Sequence, residues 1–271
     1  MAIATGKDAD IHYEVHGSTG SPVVMSAGMG GSGQFWAPQI AELSSSHRLL
    51  IYDHVGTGRS SRERPAERSI AGMASDVVAV MDAAGFSDAH FVGHAIGGIV
   101  GLELTLLAPE RLRSLLLVNA WARADSYLRR CFEVRKEILL KSGPEAYVHA
   151  QPLFLYPPRF IADNETQLGE AAKHMVASFP SSEFMLQRID MFLAFEAGER
   201  FTQIETPTLV VSSKDDSLVP SYLSVELTAA VRGARHVEVD GGAHAFTTVE
   251  PEKFNRIAMD FWNGLGRSNA G

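Results

Sequence analysis

The chain alternates short apolar runs with helical segments, and this alternation constrains its fold more than any other feature. The runs are residues 22–25, 48–52, 90–92, 115–118, 208–211 and 236–239. Short runs of this kind, each ending near a Gly, Asp or Asn, indicate strands buried on both faces of a mostly parallel sheet. Residues 10–16 instead alternate apolar with polar side chains, which predicts an antiparallel edge strand.

Helical patterns fill the intervals between these runs. Residues 69–84 begin with Ser69 and stop at Gly85, the order that helix capping predicts. An apolar segment follows Ala95 as far as Pro109, and the last helix begins at Pro251, a residue favoured in the first turn. Strands that alternate with helices predict an α/β fold with right-handed crossovers and helices on both faces of the central sheet.

Residues 121–200 interrupt the alternation with helical sequence rich in arginine and aromatic residues. Core strands resume at Thr208, which favours an insertion over a separate domain. We therefore predict a core formed by residues 1–120 and 201–271, with residues 121–200 as a helical cap. A length of 271 residues suits one α/β domain with such an insertion.

Charge and cysteine content narrow the classes of function. A formal net charge of −8 argues against nucleic acid or an anionic membrane as the main partner. No secretory signal is visible, and no apolar run approaches the roughly 20 residues that cross a bilayer. Cys131 is the single cysteine, which excludes an internal disulfide. These features predict a cytoplasmic protein with a small-molecule substrate; the oligomeric state stays open, with a homodimer as one option.

The segment Gly93-His94-Ala95-Ile96-Gly97 lies between a predicted strand and a predicted helix. In the G-x-S-x-G elbow, glycines flank a nucleophilic serine because the central residue occupies a tight, strained turn. Here the glycines are in place, while the nucleophile position holds Ala95. The motif alone is a weak signal, since an ordinary strand–helix turn also explains it.

Two later segments supply the other groups of such a site. Residues 213–220 follow a strand and contain two acids, and Gly241-Gly242-Ala243-His244 follows the next strand. The order nucleophile position, acid, base is that of the α/β-hydrolases. We predict His244 as the general base and Asp216 as the acid that orients it. Asp216 is preferred to its neighbour because it stands three residues after Ser213, where this fold commonly has a turn glycine.

Two glycine-containing loops complete the pattern. Residues 27–33 suit an oxyanion-hole loop, so the backbone N–H groups of Met29 and Ile96 are the predicted oxyanion-hole donors. Residues 52–60 match the D-x-x-G-x-G-x-S turn of the same fold. Both loops fit hydrolase turns better than a dinucleotide fingerprint, and no cluster of His, Cys and Asp has zinc spacing. We therefore expect neither a metal nor an organic cofactor.

Taken together, these motifs resemble the α/β-hydrolase fold over about residues 10–265. More narrowly, the chain is similar to the Rut-pathway hydrolases of bacterial pyrimidine degradation in the segments Gly93-His94-Ala95-Ile96-Gly97, Val118-Asn119-Ala120-Trp121, Arg129-Arg130-Cys131-Phe132-Glu133-Val134-Arg135 and residues 150–157. That resemblance implies breakdown of aminoacrylate or carbamate, and the family also has alanine at the nucleophile position. The chain departs from the family in a longer N-terminus and in details of the second half of the cap.

A predicted cap helix over residues 128–139 carries a charge within its apolar face. Arg135 falls in the middle of that face, whose apolar members are Leu128, Cys131, Phe132, Ile138 and Leu139. A charge there must be paired or meet a ligand. We expect either contact with an anionic substrate or an ion pair with a cap carboxylate. Three aromatic residues are candidate pocket walls that fit the core equally well, namely Trp36, Trp121 and Tyr156.

An alanine at the elbow removes the acyl-enzyme route but leaves the oxyanion hole and the His–Asp pair. We expect His244 to activate a water in the space that a serine Oγ would fill. One alternative is a serine esterase or lactonase whose serine was replaced by Ala95. Another is a non-catalytic protein that uses the pocket as a ligand sensor. Retention of Asp216 and His244 argues against the sensor, and the family-like cap argues against the replaced serine.

Overall fold

The computed structural model describes residues 2–7, 9–62 and 68–268, which form an eight-stranded sheet covered by helices. The strands are β1 Ala2–Thr5, β2 Asp10–His16, β3 Pro22–Ser26, β4 Arg48–Tyr52, β5 Ala89–His94, β6 Leu112–Val118, β7 Thr208–Ser213 and β8 Arg235–Val239. Their order across the sheet is β1-β2-β4-β3-β5-β6-β7-β8. All pairings from β4 to β8 are parallel, and β2 is antiparallel to both its neighbours. The predicted α/β-hydrolase fold is confirmed.

Helices cover both faces of this sheet. They are α1 Ala37–Leu43, α2 Ile70–Ala83, α3 Ile96–Leu107, α4 Ser126–Ala150, α5 Pro152–Leu155, α6 Pro158–Asp163, α7 Glu165–Ala177, α8 Ser182–Leu193, α9 Ser221–Ala230, α10 Phe246–Val249 and α11 Pro251–Ser268. Successive side chains of a strand point to opposite faces of the sheet. Val23 and Met25 of β3 pack in the core beneath α1 and α11, while Val24 packs in the core beneath α2 and α3. Within the described ranges, no helix is long and apolar enough to cross a membrane.

The two ends of the sheet differ from the sequence-based expectation. Strand β2 is not an edge strand, because β1 pairs with it over its first four residues, from Asp10 to Tyr13. The edge at the other end is β8, whose side chains are mostly exposed or half-buried, so it is not covered on both faces. Its residues 236–239 alternate polar and apolar types, which is the pattern of a partly exposed strand rather than of a strand buried on both faces.

The helices α4 to α8 lie between β6 and β7 in the chain. Helix α4 is broken at Gly143, whose φ of 83° lies in the left-handed region, and Pro144 begins its second part. Side chains from α4, α5, α7 and α8 face the loops at the carboxyl ends of the strands across one cavity. The division of the chain into core and cap at residues 120/121 and 200/201 stays a prediction.

Candidate active site

The turn between β5 and α3 places Ala95 in a strained backbone conformation, with φ 50° and ψ −114°. Its N–H donates to the Val118 carbonyl at 2.8 Å, which ties the turn to β6. Glycine is required on both sides, because a Cβ on Gly93 would lie 2.4 Å from the Gly97 oxygen and one on Gly97 would lie 2.3 Å from the Ser26 oxygen. This is the geometry of a nucleophile elbow that holds alanine at its tip.

A buried histidine–carboxylate pair lies beside the elbow. The Nδ1 of His244 is 2.7 Å from Oδ2 of Asp216, and both residues are less than 5% exposed. The other carboxylate oxygen accepts the N–H groups of Leu218 and Val219, each at 2.8 Å. Since Oδ2 accepts the Nδ1 proton, the Nε2 lone pair of His244 is left to act as a base.

The backbone around His244 is held by groups at the carboxyl ends of three strands. The Asn119 amide, after β6, donates to the His244 carbonyl at 2.9 Å, and Nε2 of His94, on β5, donates to the same oxygen at 2.8 Å. Asp215, after β7, accepts the Ala243 N–H at 2.8 Å. Asp215 therefore organises the turn, while Asp216 contacts the imidazole.

Backbone strain in the described part of the chain is concentrated here. The non-glycine residues with positive φ in that part are Ala95, Asn119 and Ala243, with φ of 50°, 49° and 51°. Each such residue costs of order 1–3 kcal/mol and persists only where its surroundings fix it. All three belong to the loops that hold the elbow and the base, which marks this region as a functional site.

His94 and His90 are buried histidines that stay neutral in the folded protein. Burial, with a smaller contribution from the His244 charge, lowers the pKa of His94 to about 3. Burial and the nearby Arg113 lower the pKa of His90 to about 4. Both values lie below the ordinary histidine pKa of about 6.5, so protons bind to the unfolded chain first as the pH falls.

We expect acid to destabilise the protein from about pH 6.5 downward. The stabilising contribution of each histidine is complete above that pH and is lost as the pH falls toward its folded pKa, at up to about 1.4 kcal/mol per pH unit. Urea unfolding at pH 7.0, 5.5 and 4.5 measures this slope. His90→Gln should flatten it and the same change at the exposed His149 should not; equal slopes in both variants would contradict the assignment.

The loop that carries Met29 is held from the core and from the cap. Asp53, after β4, accepts the Gly33 N–H at 2.8 Å. Arg188 of α8 donates to the carbonyl of Met29 at 3.0 Å. The N–H groups of Met29 and Ile96 have no hydrogen-bond partner among the described residues, and both residues line the cavity. They are free to donate to an anionic oxygen, although their role as the oxyanion hole stays a prediction.

The cavity above the elbow has a volume of about 610 Å³. Ala95, His244 and the 27–33 loop form its floor, and the cap helices form its roof. Most of its wall is apolar, including Trp121, Phe132, Leu155, Met175, Phe179, Met185 and Phe192. Arg135 is the one Lys, Arg, Asp or Glu among the described residues that line it.

Arg135 is 3% exposed and lies in an aromatic cage. Its guanidinium carbon is 4.8 Å from the Phe132 ring centre and 5.2 Å from that of Tyr147, and Nη2 donates to the Tyr147 hydroxyl at 2.9 Å. Its Nε has no hydrogen-bond partner. No carboxylate of the described residues lies within ion-pair distance, so the expected ion pair with a cap carboxylate is wrong for this part of the chain. Among the described residues, the cation has no counter-ion.

Of the three aromatic residues predicted as pocket walls, two line the cavity and one lies in the core. Trp121 and Tyr156 line the cavity, and burial raises the pKa of the Tyr156 hydroxyl. Trp36 does not: it is fully buried in the core under α11, 5.9 Å from the Phe254 ring. The tight turn Gly33–Trp36 aims Phe35 at His94 and Trp36 at the opposite side. The expectation of Trp36 as a pocket wall is therefore wrong, and Phe35 lines the cavity instead.

Sequence reasoning missed Asn119 and Arg188. Asn119 directly follows β6, so its position at a strand's carboxyl end was an available signal. Arg188 lies in the buried face of α8 with Met185, Ile189 and Phe192, the pattern that singled out Arg135 on α4. Burial raises the pKa of the Cys131 thiol, which makes an activated thiolate there unfavourable. Across the described ranges, no group of three or more metal-ligating side chains is placed to hold an ion.

Comparison with known proteins defines the class. A profile of the alpha/beta hydrolase fold matches residues 21–137. The crystal structure of the enol-lactonase from Burkholderia xenovorans LB400 is 25% identical with a TM-score of 0.86, and the match covers 97% of this chain and 100% of that one. The elbow, the His–Asp pair and the sheet are those of an α/β-hydrolase.

Two bacterial relatives define the family within this class. Both are named "Putative carbamate hydrolase RutD". The protein from Azorhizobium caulinodans is 58% identical over 261 residues, covering 96% of this chain and 98% of its own. The protein from Caulobacter vibrioides is 48% identical over 257 residues, covering 94% and 96%. The chain belongs to the RutD family of hydrolases.

Proposed function

We propose that the chain hydrolyses a small, unstable acid at a C–N bond, carbamate or 3-aminoacrylate, in pyrimidine degradation. One observation carries the proposal: a complete, buried His244–Asp216 pair lies beside an elbow that holds Ala95 where a nucleophile would stand. The names of the relatives support carbamate, and the resemblance in the elbow and the cap supports either acid. A sensor would need neither the paired imidazole nor the two free N–H groups.

In the proposed reaction, a water occupies the space beside the Ala95 methyl group. His244 Nε2 takes a proton from this water as its oxygen attacks the substrate carbon, and Asp216 stabilises the imidazolium. The N–H groups of Met29 and Ile96 donate hydrogen bonds to the substrate oxygen on which negative charge develops. With carbamate, the imidazolium returns its proton to the amino nitrogen, which departs as ammonia. With 3-aminoacrylate, water adds at C3, the imidazolium protonates C2, and the resulting carbinolamine loses ammonia. Carbamate and one water give bicarbonate and ammonia; 3-aminoacrylate and one water give 3-oxopropanoate and ammonia.

This machinery suits a substrate that already decomposes in water. In a serine protease stripped of its triad, binding and the oxyanion hole still accelerate the reaction by roughly 10³–10⁴-fold. An activated water adds general-base catalysis, worth roughly 10²–10⁴-fold. Such acceleration is too small for a stable ester or amide and sufficient for a labile enamine acid or carbamate.

Arg135 is the proposed carboxylate anchor of the site. A buried guanidinium without a counter-ion is costly, and an anionic ligand in the cavity offsets that cost. The unpartnered Nε supplies a further donor for it. Arg135 also explains selectivity, because it is the sole charged group on an otherwise neutral wall among the described residues.

Ammonia release tests the proposed reaction. Carbamate, or 3-aminoacrylate generated in the cuvette, is mixed with the protein, and ammonia is followed by a coupled dehydrogenase. We expect the rate above background to rise linearly with protein concentration. A rate equal to the uncatalysed one for both acids would exclude the proposal.

Arg135→Leu should weaken the binding of small carboxylic acids by about 10- to 100-fold, the size of a charged hydrogen bond. Competitive inhibition by acrylate and similar acids measures this loss, and Arg135→Lys should recover part of it. Unfolding by urea provides the control. If Arg135 were purely structural, its removal would cost several kcal/mol of stability and leave the inhibition constants unchanged.

One observation favours a second candidate, a serine esterase or lactonase with its serine replaced. The cavity is several times larger than carbamate, and its apolar wall suits a bulkier ester or lactone. The similarity to an enol-lactonase structure points the same way. Restoring the hydroxyl by Ala95→Ser separates the two candidates, because only an esterase or lactonase would regain ester hydrolysis.

A further inference from the structure

Arg188 joins cap helix α8 to the loop that carries the predicted oxyanion-hole donor Met29. Its Nε donates to the Met29 carbonyl at 3.0 Å, and its Nη2 lies 3.3 Å from the Gly28 oxygen and 2.6 Å from Nδ1 of His54. The side chain is 3% exposed. No carboxylate in the described ranges forms an ion pair with it, and the two carbonyls and the imidazole that it contacts are neutral.

The contact with Gly28 fixes the direction of the Met29 N–H. The Gly28 carbonyl and the Met29 N–H belong to one trans peptide unit, in which the two groups point in opposite directions. A donor that holds the carbonyl on one side therefore aims the N–H to the other side. Gly31 N–H donates to the same oxygen at 3.1 Å. With the second contact at Met29 O, Arg188 fixes two consecutive peptide planes.

The contacts also strengthen the Met29 N–H as a donor. A positive charge at the carbonyl oxygen polarises the amide, and hydrogen bonds in series reinforce one another in a low-dielectric interior. Burial lowers the pKa of Arg188 to about 10, which leaves the guanidinium charged at neutral pH. No acidic partner among the described residues cancels this charge, so its field acts on the loop.

A buried polar chain holds the guanidinium in place. A guanidinium has only donors, so His54 Nδ1 accepts and its Nε2 carries the proton that Ser26 Oγ accepts at 3.1 Å. Ser26 Oγ lies 2.8 Å from the Tyr52 hydroxyl. Burial lowers the pKa of His54 well below its usual value, which keeps the ring neutral and able to accept.

We propose that Arg188 is the positioning residue of the oxyanion hole: it aims and polarises the Met29 N–H, so that the hole is complete only while α8 is docked. The inference rests on the proposed function, because a negative charge must develop at that N–H. It adds a cap residue to an oxyanion hole whose two predicted donors, Met29 and Ile96, lie in the core. Arg188 itself touches no reacting atom.

The first test reads the peptide unit directly and needs no substrate. The sequence holds two Gly–Met pairs, Gly28-Met29 and Gly72-Met73, so labelling glycine carbonyls with ¹³C and methionine amides with ¹⁵N gives two correlated signals. Arg188→Leu should shift the Gly28–Met29 signal and leave that of Met73, in α2, in place. Arg200→Leu is the matched control, since Arg200 follows α8 and pairs with Glu103 at the surface; it should move neither signal.

The second test is kinetic. Arg188→Leu should lower kcat about 10- to 100-fold with KM changed less than threefold, because removing an oxyanion-hole donor costs about 10²–10³-fold. Arg188→Lys can still donate to a carbonyl, so it should recover part of kcat. If Arg188→Leu does not fold, Arg188→Lys replaces it in both tests. Arg200→Leu should keep the parent kcat.

The proposal would be overturned if Arg188→Leu left the Gly28–Met29 signal in place or left kcat unchanged. It would also be overturned if Arg188→Leu and Arg200→Leu lowered kcat equally. Failure of the proposed function gives a different result. The parent protein would then release no ammonia from either acid, while the Gly28–Met29 signal would still report whether Arg188 holds the peptide.

Discussion

Asp216→Asn is expected to slow breakdown of the small acid by about 10²–10⁴-fold, the scale of general-base catalysis, because the substitution disables His244 as a base. Oδ1 of Asp216 accepts two backbone N–H groups, from Leu218 and Val219, so this position requires an oxygen. The amide nitrogen of asparagine must then face His244 Nδ1. Because that nitrogen donates, the imidazole proton moves to Nε2, and the base can no longer accept a proton from water.

The rate of ammonia release by the Asp216→Asn variant measures this loss, and the Asp215→Asn variant is the matched control. Asp215 accepts hydrogen bonds from the Ser213 hydroxyl and the Ala243 N–H, whereas Asp216 contacts the imidazole. Asp215→Asn should therefore reduce stability more than the rate constant. If Asp215→Asn lost the larger share of activity while Asp216→Asn stayed near the parent, the assignment of the acid would be wrong.

The sequence was sufficient for the fold because its strands carry local signals. Buried runs bounded by turn residues identified β3 to β7, and capping residues placed α2, where Ser69 accepts the Gly72 N–H at 3.0 Å. The two ends of the sheet were less clear. Residues 2–5 of β1 are too few to show a period, and whether a strand lies at an edge depends on partners far away in the chain.

The elbow and the His–Asp pair were predictable because each occupies a fixed place after a strand. Ala95 and His244 follow from their glycine-rich turns, and the flanking glycines are explained by contacts below 2.5 Å that any Cβ would make. Trp36 shows the limit of this reasoning. Neighbours in a tight turn point to opposite sides, and only the packed structure shows that Phe35 faces the cavity.

Long-range contacts account for what the sequence did not show. Arg188 meets Met29 across 159 residues, and Asn119 meets His244 across 125. No local pattern encodes such a pairing, although a charge in an apolar helix face marks where one must occur. For Arg135 the pattern left two outcomes, an ion pair with a cap carboxylate or contact with an anionic substrate. No carboxylate in the described ranges pairs with Arg135, which favours contact with a substrate.

Ala95→Ser tests the central claim that the elbow is shaped for water rather than for an acyl-enzyme. The backbone at Ala95 is fixed by its bonds to Val118 and Gly98, so serine would adopt the same strained turn and present its Oγ to the cavity. If alanine belongs there, the hydroxyl fills the space of the attacking water. Breakdown of the small acid should then slow. Ester hydrolysis should stay low, because the proposed anchor Arg135 positions a small carboxylate, and a neutral ester offers it no charge to bind.

The deciding measurement is the hydrolysis of nitrophenyl esters and small lactones by Ala95→Ser, beside the double variant that also carries His244→Ala. We expect rates within about tenfold of the parent protein, far short of the roughly 10⁶-fold that a serine contributes to a complete triad. We also expect His244→Ala alone to slow ammonia release by about 10²–10⁴-fold, the scale of general-base catalysis. A rise of several orders of magnitude on any ester or lactone, abolished by adding His244→Ala, would contradict the account and identify a serine esterase or lactonase that has lost its nucleophile.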